Sequence, residues 1–105
     1  MAKKPKRERT RRREAARAAA ELARARERLF VLERGGAPER PIDVDAVTVI
    51  EPRAAAVPCP RCSSEQRVEE HAAVVVEGTR LREVRLQCRA CGSRRSLWFR
   101  LPVLN

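Results

Sequence analysis

Aromatic residues are nearly missing from this 105-residue chain: Phe30, Trp98 and Phe99 are the whole set, and tyrosine is absent. So small a supply excludes a large core, and it excludes a single-strand nucleic-acid binder built on stacked aromatic platforms. Histidine occurs once, at His71, with no nucleophile or defined carboxylate partner readable beside it. It reads as a half-exposed strand residue. There is no phosphate-binding glycine loop, no GxSxG and no HExxH, so the chain does not read as an enzyme. No apolar run approaches the roughly 20 residues that span a bilayer. The N-terminus is basic, as a signal peptide is, but Arg17, Glu21 and Arg24 interrupt the apolar stretch such a peptide needs. Five glutamates in the first 34 residues weigh against a transit peptide. The expected compartment is the cytoplasm, with neither a membrane nor a small-molecule substrate as partner.

Positive charge is plentiful and uneven. Residues 1–34 carry 13 Lys/Arg against 5 Glu, residues 35–56 carry 2 against 4 acidic, and residues 57–105 carry 9 against 5. The formal net charge of +10 therefore belongs mainly to the N-terminus. That distribution points to polyanions, either nucleic acid or nucleoprotein machinery, or to an acidic protein surface. Arg7, Arg11, Arg12 and Arg13 form the densest cluster and are the first candidates for phosphate contact. Arg94 and Arg95, just beyond a cysteine pair, are the second. Further arginines follow at Arg80, Arg82, Arg85, Arg89 and Arg100.

The chain divides into three parts. Residues 1–34 are a basic arm followed by an Ala/Arg/Glu/Leu segment that predicts a helix from about Glu8 to Arg34. Thr10 is a candidate N-cap, Gly35-Gly36 a stop, and Arg34 a cation for the helix C-terminus. Ala15, Ala18, Leu22, Ala25, Leu29 and Leu32 follow 3-4 spacing and line one face. The Leu22/Leu29/Leu32 end is expected to dock on the rest of the protein or on a partner. A self-associating pair and a free solvated helix are the alternatives. Residues 35–56 form a linker in which the β-branched run 42–50, between Pro41 and Pro52, predicts one possible extra strand. Residues 57–105 form the last domain. Strands are expected over Gln66–Val76, Thr79–Cys88 and Arg95–Leu101, with a turn at Glu77-Gly78 and a bulge near Glu83. One of Trp98 and Phe99 should be core, and Glu69 and Glu70 should face opposite sides. The fold class is small α+β: a basic N-terminal helix, a linker and a three-stranded antiparallel sheet.

The only four cysteines stand in two pairs, Cys59-Pro60-Arg61-Cys62 and Cys88-Arg89-Ala90-Cys91, the second followed by Gly92. A two-residue gap lets both sulfurs of one tight turn reach a single metal, and two such turns supply the four thiolates of a closed tetrahedral Zn²⁺ site. One structural Zn²⁺ held by Cys59, Cys62, Cys88 and Cys91 is the cofactor this predicts. A redox CxxC pair and an iron–sulfur cluster are the rivals. The first expects a single CxxC within a βαβ pattern, whereas two lie here among strands. A module of under 50 residues with so few large core-formers is of the size that a metal usually supplements. The CPxC turn, the hairpin, the CxxCG turn and the closing strand, covering roughly residues 57–104, resemble the zinc-ribbon superfamily. The resemblance implies a three-stranded ribbon used for binding nucleic acid or for docking on transcription or translation machinery. Ser63 stands where ribbons often carry glycine, which leaves a strained or a non-left-handed turn open at that point.

Overall fold

The computed structural model describes residues 7–103. The elements in chain order are helix α1 (Glu8–Leu32), strand β1 (Ile42–Asp43), helix α2 (Ile50–Ala55), β2 (Gln66–Val76), β3 (Thr79–Cys88) and β4 (Arg94–Arg100). The strands form one sheet in the order β1-β4-β3-β2. β2, β3 and β4 are antiparallel neighbours, and β1 adds a short parallel edge with Ile42 opposite Phe99 and Asp43 opposite Arg100. The sheet is thus four-stranded and mixed, not the expected three-stranded antiparallel one.

α1 begins at Glu8, whose carboxylate complements the positive end of the helix. Arg7 is the N-cap and Thr10 already lies inside, its N–H bonded to the Arg7 carbonyl at 2.9 Å. The Thr10 cap is therefore corrected. The last turn carries no basic residue; instead Arg40 reaches back and donates to the Val31 carbonyl at 2.6 Å, filling the role expected of Arg34. Gly36 is required where the chain folds back, because a Cβ there would collide with the Phe30 carbonyl.

The linker departs most from expectation. Only Ile42-Asp43 pair as a strand, and Val47–Val49 coil into a single 3₁₀ turn that runs into α2. The β-branched run favoured a strand locally, but helical geometry puts Ile50 and Ala54, four residues apart, together in the core, both fully buried. Pro52 sits in the first turn of α2, where its missing N–H has no intrahelical partner to lose.

The core lies on one face of the sheet and joins Phe30, Val44, Ile50, Ala54, Val84, Leu86, Leu97 and Phe99. Phe99 is the buried member of the Trp98/Phe99 pair. β3 runs without a break; the slip near Glu83 arises because Leu81 is buried out of phase with Val84, opposite Val74. The irregularity falls on β2, between Val68 and Glu70. Glu69 is the extra residue, so strand alternation is reset and Glu69 and Glu70 line the same outer groove with Arg85, Arg94 and Ser96. Their expected opposition is corrected. Glu69 is paired to Arg94 at 2.8 Å and Glu70 to Arg85 at 3.4 Å.

Candidate metal centre

The two cysteine turns are built alike. The first precedes β2; the second links β3 to β4. In each, the N–H four residues after the leading cysteine returns to that cysteine's carbonyl: Ser63 to Cys59 at 2.7 Å, Gly92 to Cys88 at 3.1 Å. In each, the leading cysteine's N–H donates five residues ahead, to Ser64 and to Ser93, both at 2.9 Å. The turns clasp each other through Arg89 N–H and the Glu65 carbonyl at 3.0 Å. Closing such a turn needs a left-handed residue after the second cysteine. Gly92 supplies it at φ 74° and Ser63 at φ 64°. The turn at Ser63 is left-handed, as a ribbon glycine would make it.

This construction brings all four sulfurs within 4.8 Å of one another. Cys59 and Cys91 are 3.8 Å apart, and Cys62 and Cys88 are 3.3 Å apart. A disulfide needs about 2.05 Å. A tetrahedron of sulfurs with bonds of about 2.3 Å to a central ion has edges of about 3.8 Å. The spacing therefore fits four ligands around one ion and does not fit two disulfides. Four sulfurs fill such a tetrahedron, with Cys59 and Cys88 buried and Cys62 and Cys91 exposed.

The surrounding dipoles favour thiolates. The N–H groups of Ala90 and Cys91 point at the Cys88 sulfur, both at 3.4 Å. Ser93 places its hydroxyl 3.0 Å from the Cys91 sulfur and 3.6 Å from that of Cys59. Cys91 is held below the ordinary thiol range, first by the Ser93 hydroxyl and then by its N–H. Cys62 is lowered in the same way by the hydroxyl and N–H of Ser64. Burial pushes Cys59 up, but the Ser93 hydroxyl and the N–H groups of Cys62 and Arg61 outweigh it, so this thiol is also lowered. For Cys88 the Cys91 N–H pulls down, yet burial and the shared proton with Cys62 leave it raised.

Arg95 is the residue that sequence reasoning misplaced. It is not a surface contact: its side chain is 3% exposed. It donates to Gln66 Oε1, to Glu27 at 3.2 Å and to Ser93 Oγ at 2.7 Å. By donating to Ser93 it occupies a lone pair there and leaves the hydroxyl proton for the sulfurs. Gln66, also buried, donates onward to the Val57 carbonyl at 3.0 Å, just before the first cysteine turn. Glu27 and Gln66 were invisible as partners because they lie 68 and 29 residues away in the chain; Ser93 is two residues before Arg95.

The other candidates lie elsewhere. Arg94 is exposed but tied to Glu69, Arg85 faces Glu70 and Glu83, and Arg100 pairs with Asp43 at 2.7 Å, which holds the Asp43 carboxyl below its usual range. Arg80, Arg82 and Arg89 have no acidic partner among the described residues. Arg89 and Arg67 flank a shallow recess beside the second cysteine turn. Arg7, Arg11, Arg12 and Arg13 are exposed on the start of α1, with Arg12 beside Glu8 at 3.5 Å. Leu22, Leu29 and Leu32 stay exposed, so they do not dock on the rest of the protein. His71 faces α2, its Nδ1 3.4 Å from Glu51, while its buried Nε2 has no hydrogen-bond partner among the described residues. No helix among the described residues is long and apolar enough to cross a membrane.

No protein-family profile, no curated protein and no solved structure matches this chain.

Proposed function

We propose that the chain is a zinc-ribbon protein that binds nucleic acid or nucleoprotein through its basic leader, with one Zn²⁺ acting only to hold the β-module together. The observation that carries this reading is the separation of two charge populations. Of the seven arginines on the strands, four are matched to carboxylates, at Glu69–Arg94, Glu70–Arg85, Asp43–Arg100 and Glu27–Arg95, which leaves Arg67, Arg80 and Arg82. Those at the start of α1 are exposed and outnumber their acidic neighbours. Solvent-facing arginines in excess on a projecting helix suit phosphate backbones, where each neutralised phosphate releases a counterion. A sulfur-only tetrahedron supports a structural metal over a catalytic one, since it leaves no position for water or substrate. Zn²⁺ is the ion we assign because a closed tetrahedron of four sulfurs from two CxxC turns is its usual structural site. The cytoplasm is the compartment in which paired CxxC turns remain reduced for that purpose.

The test is a salt series on generic RNA and duplex DNA. Binding should weaken steeply as salt rises, and Arg11→Ala/Arg12→Ala/Arg13→Ala should weaken it uniformly across sequences and lower the log–log salt slope by roughly 2–3. An affinity unmoved by those substitutions removes the leader from the contact. Absence of binding at about 50 mM salt, where such contacts are strongest, sinks the reading in favour of an acidic protein surface.

A further inference from the structure

α1 has two interaction faces, and only one is used within the chain. Ala20, Ala23, Glu27 and Phe30 are its buried or half-buried residues; Glu27 pairs with Arg95 of β4 and Phe30 joins the core. Each stands two residues before a member of the apolar stripe: Leu22, Ala25, Leu29 and Leu32. Two residues on an α-helix are about 200° of rotation, so the stripe lies on the side facing away from the sheet. Leu22, Leu29 and Leu32 are 51%, 57% and 67% exposed there. With Ala15, Leu22 and Leu29 as one heptad position and Ala18, Ala25 and Leu32 as the other, the stripe is a coiled-coil seam without a second strand.

We propose that this seam pairs with α1 of a second copy of the chain, in antiparallel orientation. Size and charge both choose the occupant and its direction. The stripe is alanine at its start and leucine at its end. Run antiparallel, Leu32 meets Ala15, Leu29 meets Ala18 and Leu22 meets Ala25 of the second copy, and the same layers repeat by symmetry. Every leucine then packs on an alanine, which fills space evenly at close helix separation. Run parallel, alanine faces alanine at one end and leucine faces leucine at the other.

The flanking charges agree. In the antiparallel register Glu21 faces Arg28 of the second copy, and Arg12 faces its Glu33, each pair occurring twice; no like charges are opposed. In the parallel register Glu21 faces Arg26 and Arg28 faces Glu33, but Arg7 faces Arg12 and Arg11 faces Arg11 within the seam. The antiparallel pair also carries each basic leader past the negative C-terminal end of the other helix, and it sends the two leaders to opposite ends of the dimer.

The experiment is sedimentation equilibrium of the full, metal-loaded, nuclease-treated chain. A reversible dimer of twice the 11.9 kDa chain mass is expected. Leu22→Ser with Leu29→Ser should give a monomer with unchanged metal content, which shows that the sheet domain stays folded. Glu21→Arg alone and Arg28→Glu alone should each raise the dimer dissociation constant roughly tenfold, since each turns two attractive contacts repulsive. Together they should restore it, because both members of each pair then carry reversed charge and attract again. The combined exchange deepens the loss if the helices run parallel, and that result overturns the proposal. A chain that stays monomeric at every concentration, or a dimer indifferent to the leucine substitutions, overturns it as well.

Discussion

Ser63 and Gly92 occupy the same place in two turns of the same design, and only one of them is glycine. Both take the left-handed conformation, at φ 64° and 74°. For a residue with a Cβ this costs about 1–2 kcal/mol, which Ser63 carries and Gly92 avoids. Exchanging the residues should move stability in opposite directions. Ser63→Gly should stabilise the metal-loaded protein by about 0.5–1 kcal/mol, the strain relief less the extra freedom glycine has when unfolded. Gly92→Ala should destabilise it by about 1 kcal/mol, and the loss will be conformational, since a Cβ at Gly92 meets nothing within 4 Å. Thermal unfolding of both variants checks the pair; a loss of stability in Ser63→Gly would mean that its hydroxyl contributes more than its backbone costs. At this scale the ligands were legible, because a two-residue gap is a local geometric requirement that spacing alone expresses. Arg95 was not. Nothing near it in the chain distinguishes it from Arg94, yet strand alternation turns one outward to Glu69 and the other inward to Gln66, Ser93 and Glu27.

Among the elements, α1 shows what periodicity detects and what it passes over. An apolar stripe repeats, so Leu22, Leu29 and Leu32 stood out. The face that docks within the chain is marked instead by one phenylalanine and one carboxylate, whose partner lies on β4. That Glu27–Arg95 pair differs from the exposed Glu8–Arg12 pair of the same helix. Arg95 is removed from water, so deleting its partner strands a buried guanidinium, whereas an exposed pair loses little. Glu27→Gln should therefore destabilise the protein by about 2 kcal/mol, while Arg12→Ala, which breaks the exposed Glu8–Arg12 pair, should stay within about 0.5 kcal/mol. Hydrogen exchange should localise the first effect to the last turns of α1 and the Ser93 turn. A Glu27→Gln loss no larger than that of Arg12→Ala would show that Phe30 alone holds the helix. The strand expected at 42–50 survives only at Ile42-Asp43, for the same kind of reason: β-branched residues describe a local preference, and burial of Ile50 with Ala54 overrode it further along. The broken alternation near Glu83 comes from Leu81, buried out of phase without any break in pairing, whereas the bulge lies on β2 between Val68 and Glu70.

The whole molecule is elongated, 78 × 24 × 16 Å, with a radius of gyration of 18.8 Å. A compact chain of this length would have about 13 Å. The excess is α1, whose first half is exposed throughout, so the helix and the sheet domain draw their stability from different sources. The helix is an Ala/Arg/Glu-rich segment of 25 residues, long enough to be substantially helical from its own propensity. The sheet domain supplies seven of the eight buried core residues, Phe30 of α1 being the eighth, and all three long strands meet at the sulfurs: Cys62 leads into β2, Cys88 ends β3, and Cys91 leads into β4. Binding of an ion there is folding free energy for that half alone. Metal analysis should return one zinc per chain. A strong chelator should then abolish the slow amide exchange of Leu86 and Phe99, in β3 and β4, while most of the helical circular dichroism persists. Iron in place of zinc would change the cofactor. Protected strand amides in the metal-free chain would show that the core suffices without the sulfurs. Collapse of the helical signal together with the strands would show that α1 depends on its Phe30 and Glu27 contacts, and that the two halves fold as one.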